Sequence, residues 1–188
     1  MRARLFLLSL VLAACGSTAP ADLLPVAAPV APPEAEEVAP DLGLAPGGIE
    51  SNRGRLVWPV DGTVMGFFGP RTDPETGTRT EAVGLDISTA PGAPVRAAFG
   101  GRVSRVGAMV AFGTYVMLTH DGHTTVYGNL SRVDVARADT LGPGAVLGAS
   151  GTREQPRGAR LFFAVFEGQT PTDPLLWLRP RETSTAND

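Results

Sequence analysis

The sequence predicts an all-β domain over residues 52–180, on three observations. Short runs rich in Val, Ile, Thr, Tyr and Phe recur between Gly-containing turns, the pattern of strands joined by tight connections. Asp121-Gly122 separates two such runs, Tyr115-Val116-Met117-Leu118-Thr119 and Thr124-Thr125-Val126-Tyr127. Asp-Gly there is a hairpin signal, because both turn positions favour residues that tolerate positive φ. No window of the domain longer than about ten residues repeats apolar positions at helical spacing, apart from one turn near 133–138.

Ahead of that domain the chain reads as export and attachment. Met1-Arg2-Ala3-Arg4 is basic, and the apolar run 5–14 has the length of a signal-peptide core and is too short to span a bilayer, so 1–14 is expected to be a signal peptide. Cys15 is the only cysteine among the 188 residues and has no internal disulfide partner. Leu12-Ala13-Ala14-Cys15 resembles a bacterial lipobox, which implies lipidation of Cys15 and a membrane anchor. Gly16, where Asp would retain an inner-membrane lipoprotein, resembles the pattern of outer-membrane lipoproteins facing the periplasm. Residues 15–51 are Pro- and Ala-rich with no aromatic residue, and are expected to form a disordered tether. Charge divides the same way. Asp22, Glu34, Glu36, Glu37, Asp41 and Glu50 face no basic residue in 16–50, whereas residues 51–188 carry 14 Arg against 13 Asp and Glu. That near-neutral balance, without a basic stripe, excludes a nucleic-acid partner.

Within the domain, strands are expected at 56–59, 63–68, 84–88, 95–98, 101–108, 115–119, 124–130, 145–147 and 161–167. Gly100-Gly101, Asp121-Gly122, Gly142-Pro143-Gly144 and Ala149-Ser150-Gly151 punctuate them. Pro174-Leu175-Leu176-Trp177-Leu178 is expected as a closing turn and 181–188 as a polar tail. Two loops exceed what hairpins need: 69–81 with Arg71, and 150–160 with Arg153, Arg157 and Arg160. Long loops on a compact β scaffold are where binding concentrates.

The chemistry-bearing residues are few. His120 and His123 flank the Asp121-Gly122 turn, but two histidines without a third ligand make a weak metal site, and a structural or solvent-exposed role is favoured. Cys15 lies in the leader, and no Ser is placed for a triad.

The order of segments resembles one family. Phe68-Gly69-Pro70-Arg71, Gly84-Leu85-Asp86-Ile87, Gly92-Ala93-Pro94-Val95, Thr125-Val126-Tyr127-Gly128-Asn129-Leu130, Leu141-Gly142-Pro143-Gly144 and Arg160-Leu161-Phe162-Phe163-Ala164-Val165 resemble the lysostaphin and LytM type of peptidoglycan metallo-endopeptidase. The resemblance covers 54–178 and implies an antiparallel β-sandwich of the duplicated hybrid motif type with a groove on one face. Active members of that family hold zinc through the His and Asp of H-x-G-x-D and a His of H-x-H, with catalytic histidines from H-x-H and Tyr-x-His-Leu. Carried over by position, these fall on Ala82, Asp86 and Phe162 for the metal, and on Arg160 and Asn129 for catalysis. A catalytic zinc needs about three protein ligands, and Asp86 alone remains, so the resemblance implies no zinc, no other cofactor and no catalytic residue. Asp86 is expected to pair with Arg160.

The resemblance is to the non-catalytic EnvC/NlpD-like amidase activators within that family. It implies a regulator of peptidoglycan hydrolysis that binds a periplasmic N-acetylmuramoyl-L-alanine amidase, or another hydrolase, through the groove left vacant by the metal. Arg71, Asp86, Asn129, Arg153, Arg157, Arg160 and Phe162 are the expected groove residues. Two alternatives remain: a zinc endopeptidase with unrecognised ligands, and a module that grips peptidoglycan itself.

Overall fold

The structure is a computed structural model that describes residues 42–72 and 76–181. Chain contacts divide the protein between Ala39 and Pro40, and the described residues all belong to the second unit. The expected signal peptide, Cys15, the expected tether up to 41 and the expected tail from 182 lie outside the described residues.

The strands are β1 (Thr63–Gly66), β2 (Gly69–Thr72), β3 (Arg79–Ala82), β4 (Leu85–Ser88), β5 (Pro94–Arg96), β6 (Gly101–Met109), β7 (Gly113–His120), β8 (His123–Gly128), β9 (Leu130–Val133), β10 (Thr140–Leu141), β11 (Val146–Ser150), β12 (Arg160–Glu167) and β13 (Thr170–Thr172). A large antiparallel sheet runs β1-β4-β12-β8-β7-β6-β10, with β13 also paired to β12. A second sheet of order β5-β11-β9 completes the sandwich, and β2-β3 form a separate ribbon. The all-β antiparallel class read from the sequence is the observed one.

Alternation explains the layers, because successive side chains of a strand point to opposite faces. Leu85 and Ile87 of β4, with Leu161, Phe163 and Val165 of β12, join Val95, Leu147 and Leu130 of the second sheet in the main core. The intervening Phe162 and Ala164, with Val126, build a second apolar cluster on the opposite face, packed by Val83, Phe112, Met117 and Phe166. The uninterrupted Leu-Phe-Phe-Ala-Val run of β12 is therefore that of a central strand buried on both faces. Asp121 (φ 41°) and Gly122 (φ 88°) form the predicted β7–β8 turn, both left-handed.

Several boundaries differ from expectation. Residues 56–59 make no strand, only a parallel bridge from Leu56 to Leu178. The expected strand 124–130 breaks at Asn129 (φ 60°), giving β8 and β9. The 69–81 loop contains the β2–β3 ribbon, and the turn expected near 133–138 is not helical. Part of the expected tether is structured. Ile49 is 1% exposed in the main core, and Asn52 is buried, with its side chain bonded to the backbone of Ala45 and Gly48. A large aliphatic residue and an amide that ties the 3-10 turn (Glu50–Asn52) back to Ala45 and Gly48 dock this segment, and composition averages over them. The closing turn is present as a 3-10 helix, Pro174–Leu176, followed by the fully buried Trp177.

Candidate functional site

The candidate site lies on the face of the large sheet that carries the second apolar cluster. Register aligns it: Asp86 of β4 is directly opposite Phe162 of β12, and Phe162 is opposite Gly128 of β8. Directly opposed residues project to the same face, so Asp86 and Phe162 stand side by side. Gly84 lets the chain cross them closely, since a Cβ there would meet the Phe163 carbonyl oxygen at 2.5 Å and the Phe162 ring at 2.9 Å.

Phe162 fills the middle of the face. Its ring stacks on Phe112, from the β6–β7 connection, with centroids 4.6 Å apart and planes inclined by 14°. The Arg157 guanidinium lies 5.9 Å from the Phe162 centroid, within the range of a cation–π contact. Arg157 also donates from Nη2 to Asp86 Oδ1 at 2.9 Å and from Nη1 to the Ala111 carbonyl. Arg71 approaches the other carboxylate oxygen, Nη1 to Asp86 Oδ2, at 3.7 Å, and is itself held by two hydrogen bonds to the Phe67 carbonyl. One carboxylate thus stands between two guanidinium groups, on the border of an aromatic stack.

Asn129 has become a structural staple at the rim. Its left-handed backbone, which Asn tolerates better than most residues, turns the chain from β8 into β9. Its buried side chain donates from Nδ2 to the carbonyls of Gly158 (3.0 Å) and Arg160 (2.8 Å). That fixes the end of the 150–160 loop and, with it, the approach of Arg157.

Among the expected groove residues, Arg71, Asp86, Arg157 and Phe162 meet, and Asn129 supports them. The expected Asp86–Arg160 pair does not form. Arg160 is register partner to Ser88, two positions along the strand from Asp86 and about 7 Å away at strand rise. The loop folds back to deliver Arg157 instead. Arg160 is exposed and borders a small cavity of about 230 Å³ shared with Met65 and Asp86. Arg153 is exposed beside Glu154 and makes no hydrogen bond or ion pair with the cluster among the described residues. Ala82 ends β3 opposite Gly69. The face is also less open than expected, because Phe112 and Arg157 cover it. Phe112 escaped the sequence reading, and the one available signal was an aromatic residue beside Gly113 in a short turn.

These residues do not suit a zinc ion. Of positions 82, 86 and 162 only Asp86 has lone pairs to give, and its oxygens already face two cations. Among the described residues no group of three or more His, Cys, Asp or Glu is placed to hold a metal. The two histidines serve the fold on the inner face. His120 is 5% exposed, with Nδ1 2.7 Å from the Gly100 carbonyl and Nε2 2.8 Å from Thr125 Oγ1. Burial is the main cause holding its pKa below the usual histidine value, against the opposing Gly100 bond. Thr125 in turn bonds Tyr127 (3.2 Å), whose hydroxyl accepts from the Ala98 amide (2.8 Å) and whose pKa burial pushes up to about 12. His123 packs edge-on against Trp177, centroids 5.0 Å apart, with Nε2 3.2 Å from Glu50 Oε2 but not aligned as a hydrogen bond.

Comparison with known proteins follows from this architecture. The family model described as Peptidase family M23 matches residues 80–174. A Pseudomonas aeruginosa protein named Lipoprotein NlpD/LppB homolog is 28% identical over 144 residues, covering 76% of this chain and 46% of its own length. The Neisseria meningitidis protein named DD-carboxypeptidase/endopeptidase Mpg is 30% identical over 122 residues, covering 64% of this chain and 28% of its own length. Among solved structures, a zinc-containing peptidase from Vibrio cholerae superposes with a TM-score of 0.60 at 26% identity, covering 69% of this chain and 42% of that one. The chain thus spans less than half the length of the curated relatives it matches.

Proposed function

Because the chain belongs to peptidase family M23, we propose that it is a non-catalytic member that regulates peptidoglycan hydrolysis by another protein. It does so by binding and activating a periplasmic cell-wall amidase through the Asp86–Phe162 face. The observation that carries this reading is the content of the face itself. Where hydrolysis by a bound metal requires several nitrogen or oxygen donors, this chain has Ala82, an Asp86 shared by Arg71 and Arg157, and a Phe162 stacked under Phe112. Such a surface has aromatic and guanidinium groups to bind with and no group to activate water. The reaction then belongs to the partner. This chain favours the partner's active state by binding it more tightly than the resting one.

The name of the Pseudomonas relative supports the lipoprotein half of the reading. Residues 1–14 are taken as the signal peptide and lipidated Cys15 as the outer-membrane anchor, holding the domain in the periplasm on the segment that follows. Acylation with several chains suffices for stable anchoring, since each buried methylene contributes about 0.8 kcal/mol.

The test is dye release from purified sacculi by the full chain alone, by each periplasmic amidase of the host alone, and by the mixtures, with Arg160→Glu as the altered groove. Release enhanced only in a mixture, and weakened by Arg160→Glu, is the expected result. Chelator-sensitive release by the chain alone would overturn it and restore the endopeptidase reading. Retention on sacculi without stimulation of any amidase would favour the peptidoglycan-gripping one.

A further inference from the structure

Arg157 is the most heavily engaged side chain on the candidate face, and it is still partly exposed. Its guanidinium spans Asp86 of β4, the Ala111 carbonyl of the β6–β7 connection and the Phe162 ring, yet the side chain is 28% exposed. Asp86 would not be left uncompensated by its departure, because Arg71 stands at 3.7 Å from the other carboxylate oxygen. Removing one partner of a partly buried ion pair is costly when it strands the other, and here a second cation is already in place.

Arg157 also forms one wall of a cleft of about 530 Å³ between the β6–β7 tip and the 155–157 segment. Met109 and Val110 make its apolar lip, 44% and 103% exposed, while Thr114 and Asn129 contribute polar groups. Arg157 is the one charged residue among those that line the cleft, so its lining favours an anion. A carboxylate takes a guanidinium best through two parallel hydrogen bonds, and both terminal nitrogens of Arg157 are occupied in the resting arrangement.

We propose that Asp86 is an internal stand-in for a carboxylate of the partner. A partner segment carrying an acidic residue beside an aliphatic one docks in the Met109–Val110–Arg157 cleft and takes Arg157 from Asp86. This rests on the regulator reading above and specifies the chemistry of the partner. The Asp86–Arg157 bond then lowers affinity in the resting domain, and an acidic partner residue reverses it by exchange.

The experiment follows the Arg157 side-chain signal in arginine-labelled full chain by NMR, using N-acetyl-leucyl-glutamate as the probe, and in parallel measures binding of the host amidases by calorimetry. Asp86→Asn is expected to tighten both interactions about three- to fivefold, the scale of a partly exposed ion pair, and Arg157→Gln to abolish them. Arg157→Gln lacks the receptor and keeps the fold's main core, so its far-ultraviolet circular dichroism and the unchanged signals of Arg132 and Arg181 separate loss of binding from loss of structure. Amidase binding that Asp86→Asn leaves unchanged or weakens overturns the exchange while the regulator reading stands. Tighter probe binding by Asp86→Asn with no amidase bound sustains the exchange and overturns the amidase. No response of the Arg157 signal to either ligand overturns both.

Discussion

His120 shows how much one side chain can reveal about what a sequence motif means. Beside a hairpin turn and three residues from His123 it invites a metal reading, yet its ring is spent on the Gly100 carbonyl and Thr125. With the ring neutral and Nδ1–H donated to Gly100, Nε2 is left to accept from the Thr125 hydroxyl, which also lies 3.2 Å from the Tyr127 hydroxyl oxygen. Protonation of Nε2 breaks that direction of donation. The folded-state pKa is depressed by burial, so the unfolded chain binds the proton first as pH falls, and stability declines below about 6.5, the ordinary histidine value. The unfolding midpoint of the wild type is expected to hold above that pH and to drop as pH falls below it. The His120→Gln variant should show a flatter profile over the same range. A parallel pH profile for the two would remove His120 from the account. At this scale the sequence carried residue identity well and partnership poorly. Asp86 was recognisable as the surviving carboxylate, but whether Arg157 or Arg160 reaches it depends on a loop path with no periodic signal.

At the scale of elements, β12 and the hairpin β7–β8 were legible because each carries a pattern with a mechanism: a continuous apolar run for a strand covered on both faces, and Asp-Gly for a turn with two left-handed residues. The β2–β3 ribbon was hidden, since Arg-Thr and Arg-Thr-Glu-Ala present no alternating apolar face. Gly84 joins the elements of the site. It sits between β3 and β4, where an added methyl would press on the β12 backbone and the Phe162 ring. Gly84→Ala should therefore cost about 1–3 kcal/mol, as overpacking does, and shift the Phe112 and Phe162 ring signals. A denaturant midpoint equal to wild type, with those signals unmoved, would show that the crossing relaxes freely.

For the whole molecule, the docked segment before β1 is the feature composition concealed. Ile49 enters the main core, Glu50 faces His123, and the Arg53 guanidinium lies 4.9 Å from the centroid of the buried Trp177 ring. Replacing Ile49 by Ala should cost about 2–5 kcal/mol, as for other large aliphatic truncations in a core, read as a lower urea midpoint with unchanged slope. Loss below about 0.5 kcal/mol would mean that the segment is an adhering end with no part in the fold. The two apolar clusters have a wider consequence. They lie on opposite faces of one sheet, so β12 works as a party wall, with the house's frame on one side and its furnishings on the other. Side chains at Phe162, Ala164 and Val126 pack against a different set of neighbours from Phe163, Val165 and Tyr127 behind them. A scaffold partitioned in this way can change occupation while its frame stays standing.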